Sequence, residues 1–376
     1  MLKCFKVYNS LRHLRNGVNS LVKATIIWLN YNSSRFIDIV FRSLDSVFNI
    51  DYDNYEVIVV DNASNDGSFE KIKNYVEKCK HSGIRVKILR SDVNRGYSGG
   101  MNLGWNVRDP DSKYVVFINN DVVVEPDSLR KIIEYMESSH RIGAANGLLY
   151  LGDRKRINTA GNYISEDWSL GCICNNVFEY ECPGVDKLHY ITYPTGAYMV
   201  VKAEIIKKVF PEGKPFIDST FLYLDDDLVG LTLWNYGYKV AYIPIEAGMH
   251  FENLTLKRMS KIALYYATRA QIARINVIRT RFYTNRYVYV IAATIRYILI
   301  NVLSGRNIFV SPIRVVNDGL KLSELIKHKI RVLDLYKAPF VPVNTINSWN
   351  RLITRHILRI SKTQSLVTFD MLRRIE

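Results

Sequence analysis

The sequence predicts an α/β protein built on a mostly parallel central sheet with helices on both faces. Three observations carry this expectation. Short, nearly all-apolar runs alternate with segments of helical periodicity. The runs have the composition of strands buried on both sides. Polar residues recur just beyond their ends, at the edge where open α/β sheets bind ligands. The 376 residues, 48% hydrophobic and 23% charged, supply ample material for a core and are too polar for a mostly membrane-embedded chain. With only 20 Gly and 10 Pro, a collagenous or low-complexity chain is excluded.

The elements follow in order. Residues 24–29 read as the first strand. The polar turn Asn30, Tyr31, Asn32 and Ser33 comes next, then Phe36, Ile37, Val40, Leu44, Val47 and Phe48 at helical spacing, with Ser33 or Ser34 as N-cap. The β-branched run 55–60 forms a second strand that ends at Asp61. A helix over 69–80, a strand over 84–89 and a helix over 97–107 follow. Residues 114–118 make a fourth strand ending on Asn119, Asn120 and Asp121, and Pro126 opens a helix from its first turn through Met136. Farther on, 197–201 reads as a strand and 203–210 as a helix. Leu228, Leu231, Leu233 and Trp234 mark a helix that follows three consecutive Asp and ends near Gly237, and 240–243 is a strand ahead of His250.

Charge divides the chain. Residues 251–376 hold 22 Lys and Arg against 6 Asp and Glu, whereas 1–250 hold 29 against 30, so the net charge of +15 resides in the C-terminal third. Three segments are expected: a basic N-terminal extension over 1–23, an α/β domain over 24–250, and a basic helical region over 251–376. The apolar stretch 287–303 is short for a membrane span and carries Arg296 near its middle. An amphipathic helix lying on an anionic membrane is therefore expected, the alternative being a core helix of a soluble bundle. The basic third contains no recognisable nucleic-acid module and interleaves apolar residues with its Arg, so no nucleic-acid partner is expected. Five Cys, with Cys172, Cys174 and Cys182 clustered, make no disulfide framework in a chain of this size. Free thiols in a reducing compartment are the expectation, and the cluster with His189 matches no standard zinc spacing.

Four places could carry chemistry. Asp61, at a strand end before small polar residues, suits a hydrogen bond from a nucleobase or ribose, or an ordinary turn. The Gly-rich loop from Asn94 through Gly96 to Gly100, extended by Asn102, precedes a helix whose first amides could meet an anion. It matches neither the P-loop nor the dinucleotide fingerprint. Asn119, Asn120 and Asp121 offer one carboxylate with amide oxygens, which suits a hard divalent cation that takes its other ligands from a diphosphate and water. Asp225, Asp226 and Asp227 repel one another, which raises at least one pKa toward that of a general base; the bland reading is a solvated helix start.

Taken in order, TIIWLNYN, VIVVDNASNDGS, NRGYSGGMNLG, VVFINNDVVV, PTGAYMVVKAEII, FLYLDDDLVGLTLWNYGY and MHFENLT resemble the family 2 glycosyltransferases of the GT-A fold, in particular their rhamnosyltransferase-like branch. The likeness runs over about residues 24–268. It implies inverting transfer of a sugar from a nucleoside-diphosphate sugar to a hydroxyl of a glycan or lipid-linked acceptor. Polysaccharide biosynthesis is expected with it; from the cysteine usage, the basic N-terminal extension and the basic C-terminal third, the expected location is the cytoplasm, peripheral to the inner face of the membrane. The likeness further implies that Asp61 contacts base or ribose, that Asn94 and Gly96 line the nucleotide pocket, and that Gly196 and Ala197 border sugar and acceptor. Asn30, Asn32, Asn102, Asn119 and Asn120, from the same turns, complete the candidate nucleotide-sugar contacts. By the same resemblance Asp121 is the acidic ligand of Mn²⁺ or Mg²⁺ and His250 completes the metal site. Asp226 is the catalytic base, with Asp225 and Asp227 as adjacent candidates. The sequence departs from the family pattern where Asn119 replaces an acid and where Thr232 stands in place of a common Arg. The donor stays open among dTDP, UDP and GDP sugars. A rival nucleotidyltransferase would place a Gly/Arg/Lys-rich triphosphate loop near the first strand, and Asn30, Tyr31 and Asn32 provide none.

Overall fold

A computed structural model describes residues 22–79, 83–252, 260–304, 310–344 and 366–373. Almost all of the expected N-terminal extension lies outside the described residues.

In chain order the first half comprises β1 (Ala24–Asn30), α1 (Ile37–Phe48), β2 (Tyr55–Asp61), α2 (Ser68–Lys78), β3 (Arg85–Arg90), α3 (Gly96–Val107), β4 (Tyr114–Asn119), β5 (Val122–Val124) and α4 (Ser128–Glu137). Then come β6 (Ile142–Leu151), β7 (Ile157–Thr159), β8 (Asn162–Ile164), β9 (Leu170–Cys172), β10 (His189–Tyr190), β11 (Tyr198–Lys202), α5 (Ala203–Val209), α6 (Asp226–Asn235) and β12 (Lys239–His250). The C-terminal part adds α7 (Lys261–Val277), β13 (Ile278–Arg279), α8 (Arg286–Leu303), α9 (Pro312–Lys329) and β14 (Leu333–Asp334).

The main sheet runs β10-β12-β6-β11-β4-β1-β2-β3, with β5 on β12 and β7 on β6. From β4 to β3 all pairings are parallel, and Asn30 lies opposite Asp61 while Leu29 lies opposite Asn119. One sheet edge therefore receives the polar ends of β1, β2 and β4. Antiparallel β11 joins this half to β6, and β5 folds back on β12 so that Val122 faces His250. That reversal carries Asp121 to the far end of β12.

Period-2 alternation distributes the strand side chains between two cores. Ile26 and Val57 pack with Val40 and Leu44 of α1, Ile72 of α2 and Leu129 of α4. Ile27 and Ile58 face the other way, onto Met101 and Trp105 of α3, Leu231 of α6, and Ile272, Tyr289 and Leu322 of α7 to α9. The basic C-terminal helices thus share a core with the α/β part. α8 buries Tyr289, Ala292, Ala293 and Tyr297, and Arg296 donates to Gln271 of α7 at 2.5 Å. Its outer face leaves Tyr287, Ile291, Ile295, Val302 and Leu303 exposed.

Three expectations need correction. Neither Ser33 nor Ser34 caps α1: Ser33 Oγ donates to Asn30 Oδ1 at 2.5 Å, and a 3-10 turn over Ser34–Phe36 intervenes. Pro126 does not start α4; its carbonyl accepts from Asp51 N, Ser128 closes a turn onto Glu125 O, and the helix begins after Asp127. Cys174 and Cys182 are not free thiols. The loop after β9 folds back to bring their Cα atoms to 5.6 Å, inside the range a disulfide spans, and the two are bonded. The reducing-compartment expectation therefore loses its support. Cys172 stays outside the bridge, and His189 stacks on Phe369 instead of joining a metal cluster.

Candidate active site

Asn30 is the hub of the sheet edge. Its Nδ2 donates to Asp61 Oδ1 at 2.8 Å, and its Oδ1 accepts from Asn120 Nδ2 at 2.9 Å. Asp61, buried, also accepts from Ser64 N and Ser64 Oγ, with Arg90 Nε 3.6 Å away. Asn32, in the left-handed region at φ 46°, donates its N–H to Ser64 Oγ and accepts from Asn65 N. The ends of β1, β2 and β4 are one hydrogen-bonded unit.

A second turn locks onto it through Asn62, which bonds Asn94 Oδ1, Gly96 O and Arg95 N. Gly96 has φ +67°, and a Cβ there would lie 2.2 Å from Phe221 O, so only glycine fits. The expected anion cradle at the start of α3 is modified by this packing: Gly96 N donates to Asn94 Oδ1 and Tyr97 N to Phe221 O. Both amides are taken within the protein. Asn102 lies away from the edge and holds Phe216 O and Asp218.

Across the crevice Asn119 N donates to Ala197 O, which ties the metal-motif turn to the segment bearing Gly196. Gly196 N donates to Asp226 Oδ2 at 3.2 Å, and Gly196 O accepts from Tyr97 OH at 2.8 Å. Bonds therefore run continuously from Asp61 through Asn30 and Asn120, along the chain to Asn119, and through Ala197 and Gly196 to Asp226. The ends of β1, β2 and β4, the turn before β11 and the start of α6 thus lie along one hydrogen-bonded run, which Asn102 does not join.

The three consecutive carboxylates differ. Asp225 is buried and accepts hydrogen bonds from Ser98 and Thr220. Asp227, fully buried, pairs with Arg274 Nε of α7 at 2.5 Å. Asp226 is half-buried and, among the described residues, accepts only backbone N–H groups, from Gly196 and from Asp227. Burial pushes the Asp225 carboxyl up to about 6 against its two hydroxyl donors. Desolvation and then the charges of Asp227 and Asp225 raise Asp226 to about 7.

His250 Nε2 lies 3.3 Å from Asp121 Oδ1, and its Nδ1 is 3.1 Å from Asn158 Oδ1. Burial alone would lower the His250 pKa, but Asp121 and Glu252 raise it above the ordinary value. Apart from the His250 contact, Asp121 Oδ1 is buried without a hydrogen-bond donor. An orphaned carboxylate oxygen beside an imidazole oriented from behind is a donor set that fits Mn²⁺ or Mg²⁺. Among the described residues no third His, Cys, Asp or Glu joins them, so the remaining ligands fall to diphosphate and water.

The profile described as glycosyl transferase family 2 matches residues 25–210. Over those residues the chain belongs to glycosyl transferase family 2. It is 27% identical to an uncharacterized glycosyltransferase of Haemophilus influenzae over 41% of this chain and 46% of that protein. It is 25% identical to a poly-beta-1,6-N-acetyl-D-glucosamine synthase of Staphylococcus epidermidis over 45% of this chain and 38% of that one. The chain thus matches less than half the length of either relative. The solved structure of GalNAc-T7 with UDP, GalNAc and Mn²⁺ superposes with a TM-score of 0.56 at 11% identity, covering 83% of this chain and 57% of that chain. The fold is GT-A.

In this family 2 chain the structure also brings in residues that the sequence alone does not single out: Asn62, Tyr97, Ser98, Thr220, Arg269 and Arg274. The cation for the acidic cluster comes from α7, where Arg274 also donates to Tyr223 O at 2.8 Å and Arg269 to Ser219 O at 3.3 Å. These Arg hold a loop in which Phe221 and Tyr223 adopt φ of 64° and 73°. Arg274→Met should cost roughly 3–5 kcal/mol in urea unfolding, because it leaves Asp227 buried and unpaired. Adding Asp227→Asn should restore much of that loss.

Proposed function

We propose that the protein transfers a sugar, with inversion, from a nucleoside-diphosphate sugar to a hydroxyl of a glycan or lipid-linked acceptor, with Asp226 as base. The observation that carries this reading is the contrast among the three carboxylates. Hydroxyls hold Asp225 and a guanidinium holds Asp227, while Asp226 faces the crevice with a pKa near neutrality. Family membership and the GT-A fold support nucleotide-sugar chemistry.

Asn30, Asp61, Asn94 and Gly96 shape the nucleotide pocket, and Asn32, Asn119 and Asn120 line its rim. Asp121 and His250 would hold Mn²⁺ or Mg²⁺, which when bound neutralises charge on the departing diphosphate. Gly196, lacking a side chain, keeps the approach to Asp226 open. Asp226 Oδ removes the acceptor's hydroxyl proton as that oxygen attacks the anomeric carbon from the side opposite the diphosphate. Tyr97 fixes Gly196 and so the direction of the carboxyl. Direct displacement requires one base and no nucleophile, which matches a single accessible carboxylate.

A thermal-shift screen of dTDP, UDP and GDP sugars with and without Mn²⁺ tests the donor half. One nucleotide class should raise Tm in a Mn²⁺-dependent way, and no shift from any donor would sink the reading.

The exposed face of α8 supports an acceptor met at a membrane surface. Tyr283–Leu303 is the one helical stretch among the described residues long and apolar enough to cross a bilayer. One face is committed to the core, and α8 carries no acid. Its exposed apolar stripe, in a segment with 22 basic against 6 acidic residues, is complementary to anionic lipid. The protein should co-sediment with phosphatidylglycerol vesicles less as salt rises, and Ile291→Asp with Ile295→Asp should abolish it. Vesicle binding by that variant would refute the contact.

A further inference from the structure

Beside the reaction crevice lies a cavity of about 270 Å³ that the chemistry above does not use. Tyr150 of β6, Arg154, Lys155, Phe178, Tyr180 and Glu246 of β12 line it. Two pinned loops build it. In the first, Asp153 Oδ1 accepts from the N–H groups of Lys155 and Arg156 and closes the turn after β6. The second is the loop closed by Cys174 and Cys182, eight positions apart. Within it Glu181 accepts from Phe178 N at 2.9 Å. Arg156 Nη1 joins the two loops at Asn176 Oδ1, 2.8 Å away.

The disulfide loop displays Phe178 and Tyr180 as parallel rings, 5.5 Å between centroids and 7° between planes. They are 39% and 83% exposed. Aromatic faces shown to water on a covalently closed loop contribute little to the fold, but they make a rigid, low-entropy contact surface. The walls are of mixed sign. Arg154 bridges Glu246 at 2.9 Å and Glu125 at 3.0 Å, and Lys155 is exposed beside them. A net anion or a lipid tail would meet the wrong chemistry here. A pyranose presents one apolar ring face and a rim of hydroxyls that both donate and accept, which suits stacked rings flanked by carboxylates and cations.

We propose that this cavity is a saccharide subsite that docks the acceptor glycan away from its reacting end. Its acceptor role rests on the transfer reading above. Glu246 and His250 lie four residues apart on β12, at most about 13 Å of strand because β12 is irregular between Glu246 and Gly248, a span that an oligosaccharide of a few units bridges. The Cys174–Cys182 bond then acts to pre-organise glycan binding.

Isothermal calorimetry on the full chain, without nucleotide sugar, provides the test. The probes are short oligosaccharides of glucose, mannose, N-acetylglucosamine or rhamnose. Saturable binding to at least one is expected, weakened about tenfold in Tyr180→Ala and in Phe178→Ala, the factor typical of losing one aromatic anchor. A similar loss is expected on reduction with dithiothreitol, with unchanged melting of the two variants as the folding control. No saturable binding to any probe, or equal binding by both variants, overturns the proposal. Because the assay contains no donor, its result is independent of the nucleotide-sugar screen.

Discussion

Asp226→Asn should lower kcat about a thousandfold, the scale of a lost general base, while the Kd for the donor stays within error. The substitution keeps size and an oxygen to accept from Gly196 N, so the crevice retains its shape and only the proton acceptor is removed. Full turnover by this variant would assign the base elsewhere. The wild-type pH profile checks the same point. A base must be ionised to act, and the Asp226 carboxyl is raised to about 7, so kcat/KM should climb through neutrality and not near the ordinary carboxylate value. Stability has the opposite sign. Asp225 and Asp226 are raised above the usual 3.8, to about 6 and about 7. The fold thus favours their neutral forms. That contribution is complete below about pH 4 and is lost as pH rises through 6 and 7. Tm measured across this interval should fall with pH in the wild type and fall less in Asp226→Asn.

The strands around the crevice were legible because their composition is dictated by burial on both faces. The runs 24–29, 55–60 and 114–118 have no other stable location in a chain this polar, and each ends within a residue of its expected place. Capping was less legible. Ser33 has the right chemistry for an N-cap, but Asn30 offers its hydroxyl a buried acceptor three residues earlier, and a tertiary partner outweighs a local one. The fate of Cys174 was hidden for a related reason: the chain reversal that brings it to Cys182 depends on contacts from Asn176 to Ile157 and from Cys174 to Val367, which no local spacing encodes.

The site shows the same division. Asp61, Asp121 and Asp226 announce themselves because acids at strand ends and helix starts are conspicuous against apolar flanks. What distinguishes Asp226 from its neighbours does not. Ser98 lies 127 positions before Asp225 and Arg274 lies 47 after Asp227, and neither belongs to a motif around the acids. Whether a buried carboxylate is available depends on who else bonds it, a property of packing. The Gly-rich loop illustrates the converse. Its pattern suggests amides free for an anion, yet Asn94 and Phe221 O consume the first two.

The second large effect is expected at Asp121. Asp121→Ala should abolish transfer and, in the thermal-shift assay, remove the Mn²⁺-dependent part of the nucleotide response while leaving a metal-independent remainder from the nucleotide pocket. The reason lies in the donor set proposed for the cation. Among the described residues Asp121 and His250 stand there without a further acid, so loss of the Asp121 carboxylate would leave one imidazole, which is too little to hold a hard cation against water. A second readout needs no metal. His250 is raised by Asp121 against its own burial, so removing that charge should move the imidazole pKa downward in a proton NMR titration. In the wild type the raised pKa stabilises the fold at low pH, an increment lost as pH climbs past it. The variant should lack that increment. An Asp121→Ala protein that keeps both its Mn²⁺ response and its His250 titration would separate the two residues and dissolve the metal site.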